Sequence, residues 1–238
     1  MKYMGSKNRI AKDILPIILK DRKEGQWYVE PFVGGGNLID KVGGKRIGYD
    51  INKYIIGAMD ALSKGWTPPD YLNEDDYNHI KNNMDVHTEE FLGFVGFACS
   101  YGGKWFGGWC RGNKKDGTPR DYVLEAFNNA EKQKPKIKDV TFAVSSYNDA
   151  FIPENSLIYC DPPYQNTTSY KDKFKHNEFW QWCRDKSEQG HTVFVSEYNA
   201  PDDFKCVWSK EINSSLTKQT GSKKGTEKLF IYKGAKNV

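Results

Sequence analysis

Short apolar runs alternate along the chain with longer stretches whose apolar residues recur at helical spacing. Residues 27–30 (WYVE), 46–49 (RIGY), 140–144 (VTFAV), 157–160 (LIYC) and 192–196 (TVFVS) are rich in β-branched and aromatic side chains. Gly, Pro, Asn, Asp or Ser punctuates most of their ends. Runs of this length and content read as buried strands. Ile10, Ile14, Ile17 and Ile18 share a helical face, as do Ile55, Met59 and Leu62. Residues 178–189 carry Phe179, Trp180, Trp182 and Cys183 inward and stop at Gly190. Pro16 should kink or shorten the first of these helices. Strands separated by helices predict an α/β fold with a parallel sheet.

Smaller features fill in the order. Asn37, Leu38 and Ile39 should begin a helix after the first strand. Residues 75–83 read as a polar helix and 89–100 as an apolar one. Lysines 132, 134, 136 and 138 around Pro135 read as a linker. Residues 206–208 and 229–232 read as a ribbon whose joining loop, 218–228, is basic and bears glycine. Residues 165–176 are polar and should form a loop over the strand ends. The texture changes between residues 65 and 136, which predicts domains at 1–64 plus 137–238, with 65–136 inserted between them.

The net charge of +4 on 238 residues implies no strongly basic binder, so local clusters must carry any nucleic-acid argument. One such cluster is 101–122, YGGKWFGGWCRGNKKDGTPRDY. It interleaves Tyr101, Trp105, Phe106 and Trp109 with Lys104, Arg111, Lys114, Lys115 and Arg120. Cations there can meet phosphates and aromatic rings can wedge into a base stack. Lys218, Lys223 and Lys224 in the tail loop suit a second phosphate contact. The five cysteines are widely spaced and include no C-x-x-C pair, and histidines and acids nowhere stand at ligand spacing. No metal is expected. The start has no apolar signal core and no run could cross a bilayer, so a cytoplasmic protein is expected.

The chemistry gathers at strand ends. The strand at 157–160 runs into Asp161-Pro162-Pro163-Tyr164. Neither proline can donate a backbone hydrogen bond, and each restricts the residue before it to extended geometry. A carboxylate, carbonyls with few local donors and an aromatic face suit a flat ligand bearing an amino group. The first strand runs into Phe32, Val33 and Gly34-Gly35-Gly36, and the second ends at Asp50, about 20 residues further on, the spacing of a ribose-binding acid. Asp50 could equally cap the next helix. Ile39 stands where a dinucleotide fingerprint needs its last glycine, which disfavours a nicotinamide dehydrogenase.

Taken in order, KYMGSK at 2–7, EPFVGGGNL at 30–38, YDIN at 49–52, DPPY at 161–164, SEYN at 196–199 and EKLFIYK at 227–233 resemble the Dam-type (D12 class) DNA adenine methyltransferases. The resemblance implies a Rossmann-like S-adenosylmethionine-dependent methyltransferase sheet with an inserted, mainly helical target-recognition domain. It implies S-adenosylmethionine as cofactor, double-stranded DNA as partner, and transfer to the exocyclic nitrogen of a flipped-out adenine by in-line displacement. Carried onto matching positions, Tyr3 and Lys7 contact the cofactor, with Lys7 near its carboxylate. Phe32, Gly34 and Gly36 line its loop, Asp50 binds its ribose, and Tyr147 and Asn148 border its adenine. Asp161 holds both the cofactor and the target amine, beside Pro162 and Pro163, and Tyr164 stacks on the base. Two alternatives stand beside this reading: methylation of the cytosine exocyclic amine, which goes more often with serine in place of Asp161, and a DNA-binding module with a vestigial pocket.

Overall fold

The computed structural model describes residues 1–165, 174–213 and 224–234. Seven strands form one sheet: β1 (Tyr28–Glu30), β2 (Arg46–Asp50), β3 (Val140–Val144), β4 (Leu157–Cys160), β5 (Thr192–Glu197), β6 (Phe204–Asn213) and β7 (Lys224–Tyr232). Their order is β3-β2-β1-β4-β5-β7-β6. The first five are parallel, and β7 pairs antiparallel with both β5 and β6. The strand order reverses between β1 and β4. That switch point is where ligands of open α/β sheets bind, outside the carboxyl ends of the strands.

The two-residue period of the central strands divides the core. Leu157 and Tyr159 pack on one face, with Tyr28, Phe142, Leu229 and Ile231. Helices α1 (Ala11–Ile18), α2 (Lys53–Ser63) and α5 (Tyr122–Ile137) contribute to that layer through Ile14, Met59 and Ile137. Ile158 and Cys160 face the other way, with Val29, Val193 and Val195, under Phe179, Trp182 and Cys183 of α6 (His176–Glu188). A strand buried on both sides must be apolar throughout, which is what LIYC supplies.

Three readings of the sequence need correction. The turn after Gly36 supports only a 3-10 turn, Ile39–Lys41, because Gly43 and Gly44 break the chain just before β2. The supposed linker at 132–138 is the last part of α5. Lys132 and Lys136 face out, and Lys134 lies along the helix bonded to Thr67 and Glu131. Gln133 and Ile137, four residues apart, are buried, and Pro135 lies in the final turn. The apolar helix beginning at Glu89 is α4 (Glu89–Gly93) followed by a π-helical turn, Phe94–Ala98. Pro16 is tolerated inside α1, which is short and ends at Ile18. The polar helix α3 (Glu74–Asn82) begins with a reciprocal capping box between Asn73 and Asp76. All five cysteines are free.

Candidate active site

Asp161 follows directly on β4 and is half-buried, with Pro162 buried behind it. Lys7 Nζ lies 2.9 Å from Asp161 Oδ1 and 3.8 Å from Glu227 Oε2. Lys7 opens a 3-10 turn, Lys7–Arg9, whose N-cap Ser6 accepts the Asn8 N–H. The same ammonium sits 4.5 Å from the centroid of the Tyr164 ring, a cation–π distance. The Tyr164 hydroxyl donates to Glu227 Oε2 at 2.6 Å, and Tyr198 meets the Tyr164 ring edge-on at 4.7 Å. Glu197 accepts the Gln165 and Tyr198 backbone N–H groups, at 3.0 and 2.7 Å. The backbone on both sides of this aromatic pair is thereby fixed.

The electrostatics follow from crowding acids in a dry place. Burial pushes the Asp161 carboxyl up to about 6, against the pull of Lys7. Burial pushes Glu197 up to about 7, only partly countered by its two backbone donors. Glu30, buried at the end of β1 and bonded by the Tyr28 hydroxyl at 2.9 Å, is held well above the carboxylate range by burial. Burial alone would lower the Lys7 ammonium, but Asp161 and Glu227 more than offset it and hold it above its ordinary value. Acids outnumber the ammonium here, and a cationic ligand would relieve that imbalance.

The second half of the site lies along β1 and β2. Asp50 Oδ2 accepts the Gly34 N–H at 3.1 Å, and Oδ1 accepts the Asn52 N–H at 3.0 Å. The cap of α2 is Asn52, whose side chain accepts from Tyr54 and Ile55, so Asp50 is not consumed as a helix cap. Gly34 and Gly36 both have positive φ, 47° and 65°. The Tyr3 ring lies so close over Gly34 that a Cβ there would sit 2.9 Å from it. Gln133 of α5 donates Nε2 to the carbonyls of Gly35 and Gly36, at 3.0 and 3.1 Å. Phe32 stacks on Tyr147, centroids 5.5 Å apart, with Phe174 and Phe179 around them, while Asn148 is exposed.

The structure thus brings Lys7, Asp161 and Tyr164 into one cluster, and gathers Tyr3, Gly34 and Asp50 beside the first strand end. Tyr77 of α3 is buried, and its hydroxyl meets Ser100 Oγ at 2.8 Å. Lys104, Lys114 and Lys115 are exposed. Arg111 is ion-paired with Glu74, and Arg120 with Glu125. Lys218, Lys223 and most of the polar loop at 165–176 lie outside the described residues; Lys224 begins β7. Sequence reasoning missed Glu197, Glu227 and Gln133 as parts of the site. Glu227 did carry a signal: it shares strand parity with buried Leu229 and Ile231, so it had to point inward.

Fold and site together define an α/β domain built to hold a nucleoside-type ligand across a topological switch point, with a rigid acid and aromatic rings beside it. The chain belongs to the D12 class N6 adenine-specific DNA methyltransferases, whose family model matches residues 3–94 and 104–219. The DNA adenine methylase of Vibrio cholerae serotype O1 is 26% identical over 255 residues, covering 94% of this chain and 90% of that protein. The Type II methyltransferase M.FokI of Planomicrobium okeanokoites is 25% identical over 76% of this chain and 31% of its own length. M.MjaIII of Methanocaldococcus jannaschii, also a Type II methyltransferase, is 25% identical over 74% of this chain and 73% of its own. Among the described residues no helix is long and apolar enough to cross a membrane, and no group of His, Cys, Asp and Glu could hold a metal ion.

Proposed function

We propose that the protein transfers a methyl group from S-adenosylmethionine to the exocyclic amino nitrogen of an adenine flipped out of double-stranded DNA. The observation that carries this reading is the placement of Asp161: half-buried, on a proline-stiffened strand end, 2.9 Å from Lys7, whose ammonium also faces the Tyr164 ring at 4.5 Å. The residues present fit the cofactor. Asp50 keeps lone pairs for ribose hydroxyls after accepting two backbone N–H groups, and the surplus of acids around Lys7 suits a ligand with cationic centres. When bound, the cofactor supplies an electrophilic methyl carbon.

The chain's own residues would do the rest. The adenine amine is a poor nucleophile because its lone pair is delocalised into the ring. Asp161 and the Pro162 carbonyl would accept its two N–H bonds and favour a pyramidal nitrogen. The stiff Asp161–Tyr164 backbone would aim that nitrogen, so that catalysis comes from orientation and fixed dipoles rather than from a strong base. Once alkylated, the nitrogen is acidic and loses its proton to Asp161 or to water. Tyr164 would stack on the extruded base. Extrusion costs a few kcal/mol, and the inserted segment 65–136, with Lys104, Arg111, Lys114, Lys115 and Arg120, would offset that through phosphate contacts. Lys218, Lys223 and Lys224 would join from the tail loop.

Incubation with labelled S-adenosylmethionine and duplexes of varied sequence, followed by mapping of the modified base, tests the proposal. Label should appear on adenine with the wild-type protein and vanish with Asp161→Ala while the fold survives. Label on cytosine, or turnover by Asp161→Ala at the wild-type rate, would overturn it.

A further inference from the structure

The acids at the ends of β1, β2, β4 and β5 lie where parallel strands must leave them. Glu227 arrives by another route. Because β7 runs against β5, its opening residues lie beside the carboxyl ends of the parallel strands, and Lys228 is the register partner of Glu197. Glu227 is therefore buried beside Lys7 and Tyr164, 6% exposed, although it belongs to the tail ribbon. Its Oε2 accepts the Tyr164 hydroxyl at 2.6 Å and stands 3.8 Å from Lys7 Nζ.

The prolines fix the backbone of Tyr164 but leave its ring free to choose among rotamers. A bond at the far end of the ring, 2.6 Å long to Glu227 Oε2, removes that freedom. Tyr198 and Lys7 then meet the ring at an edge and within cation–π distance. We propose that Glu227 is a positioning residue for the target base: by holding the Tyr164 hydroxyl it sets the plane on which the extruded adenine stacks. This rests on the reading of Tyr164 as the stacking residue. A competing role is charge balance for Lys7 alone. The two separate cleanly, because glutamine keeps an acceptor oxygen for the hydroxyl and loses the charge that faces the ammonium.

The test uses wild type, Glu227→Ala, Glu227→Gln, Tyr164→Phe and the Glu227→Ala/Tyr164→Phe pair. Each is assayed for kcat/KM on duplex DNA, for cofactor affinity, and for fluorescence of 2-aminopurine placed at the mapped target. Glu227→Ala should lower kcat/KM for DNA roughly tenfold or more, the scale of one hydrogen bond to a charged group. It should also dim the flipped-base signal while cofactor affinity holds. Glu227→Gln should recover most of that loss, and the double variant should be no worse than either single one. Additive losses in the double variant, or a Glu227→Gln defect equal to that of Glu227→Ala, overturn the proposal. If Glu227→Ala does not fold, Tyr164→Phe decides: a matching loss supports the proposal and wild-type behaviour overturns it. A wild-type protein inactive on every DNA would instead remove the underlying function, which a fully active Glu227→Ala protein would leave intact.

Discussion

Lys7 Nζ and Asp161 Oδ1 stand 2.9 Å apart, joining the first turn of the chain to the end of the central strand β4. On the proposed mechanism the pair sets the pH at which the site works. Ionised Asp161 is the stronger acceptor for an amine N–H and can take the proton released on alkylation, so activity should rise as pH climbs through about 6. Lys7→Met removes the group that restrains this pKa, leaving burial and Glu227 to push it higher. The ascending limb of kcat/KM against pH should therefore shift to higher pH in the variant. A limb that stays in place would show that Asp161 is not the titrating group.

Gln133 ties α5 to the glycine loop through the carbonyls of Gly35 and Gly36. Gln133→Leu keeps the volume and removes both donors. The Met1 ammonium still reaches the Gly35 carbonyl at 2.8 Å and the Asp40 N–H the Gly36 carbonyl at 3.3 Å, so each lost bond costs ~0.5–1.5 kcal/mol and the loop should loosen. Calorimetry should record weaker S-adenosylmethionine binding by roughly tenfold, on the same scale. Unchanged affinity would mean that Gln133 serves packing alone.

Gly36 has φ 65°, and a Cβ there would come 2.5 Å from Met59 Cε. Gly36→Ala should cost ~1–3 kcal/mol in urea unfolding through backbone strain and the clash. Adding Met59→Ala removes the clash but opens a cavity and leaves the strain. If Gly36→Ala unfolds at the wild-type urea midpoint, the tight approach is not a constraint.

Lys114 and Lys115 are exposed, whereas Arg111 and Arg120 already face Glu74 and Glu125. If the lysines meet phosphates, replacing both with alanine should reduce the slope of log K against log salt by about 2. The same slope in both proteins would place these lysines outside the interface.

How much of this was legible depended on where the signal lay. The β4 run could be read directly, because a strand buried on both faces leaves an unbroken apolar word between Ser156 and Asp161. The ends of β6 and β7 could not. Their outer residues alternate with lysines and acids, and only pairing with each other makes them strands. The lysines at 132–138 looked like a linker because their helix hides one narrow stripe, Gln133 and Ile137. Asp50 and Asp161 stood out because each closes an apolar run. Glu197 closes one as well, but its grip on Gln165 appears only when β5 is laid beside β4. Glu227 and Gln133 act through partners 63 and 98 residues away in sequence.

The site draws on Tyr3, Asp50, Asp161 and Glu227, so it spans nearly the whole described chain. Contacts that distant form slowly, because long loops must close before they are rewarded. The site is complete only after β7 has slotted in beside β5, so its assembly is decided by that one pairing rather than piecemeal.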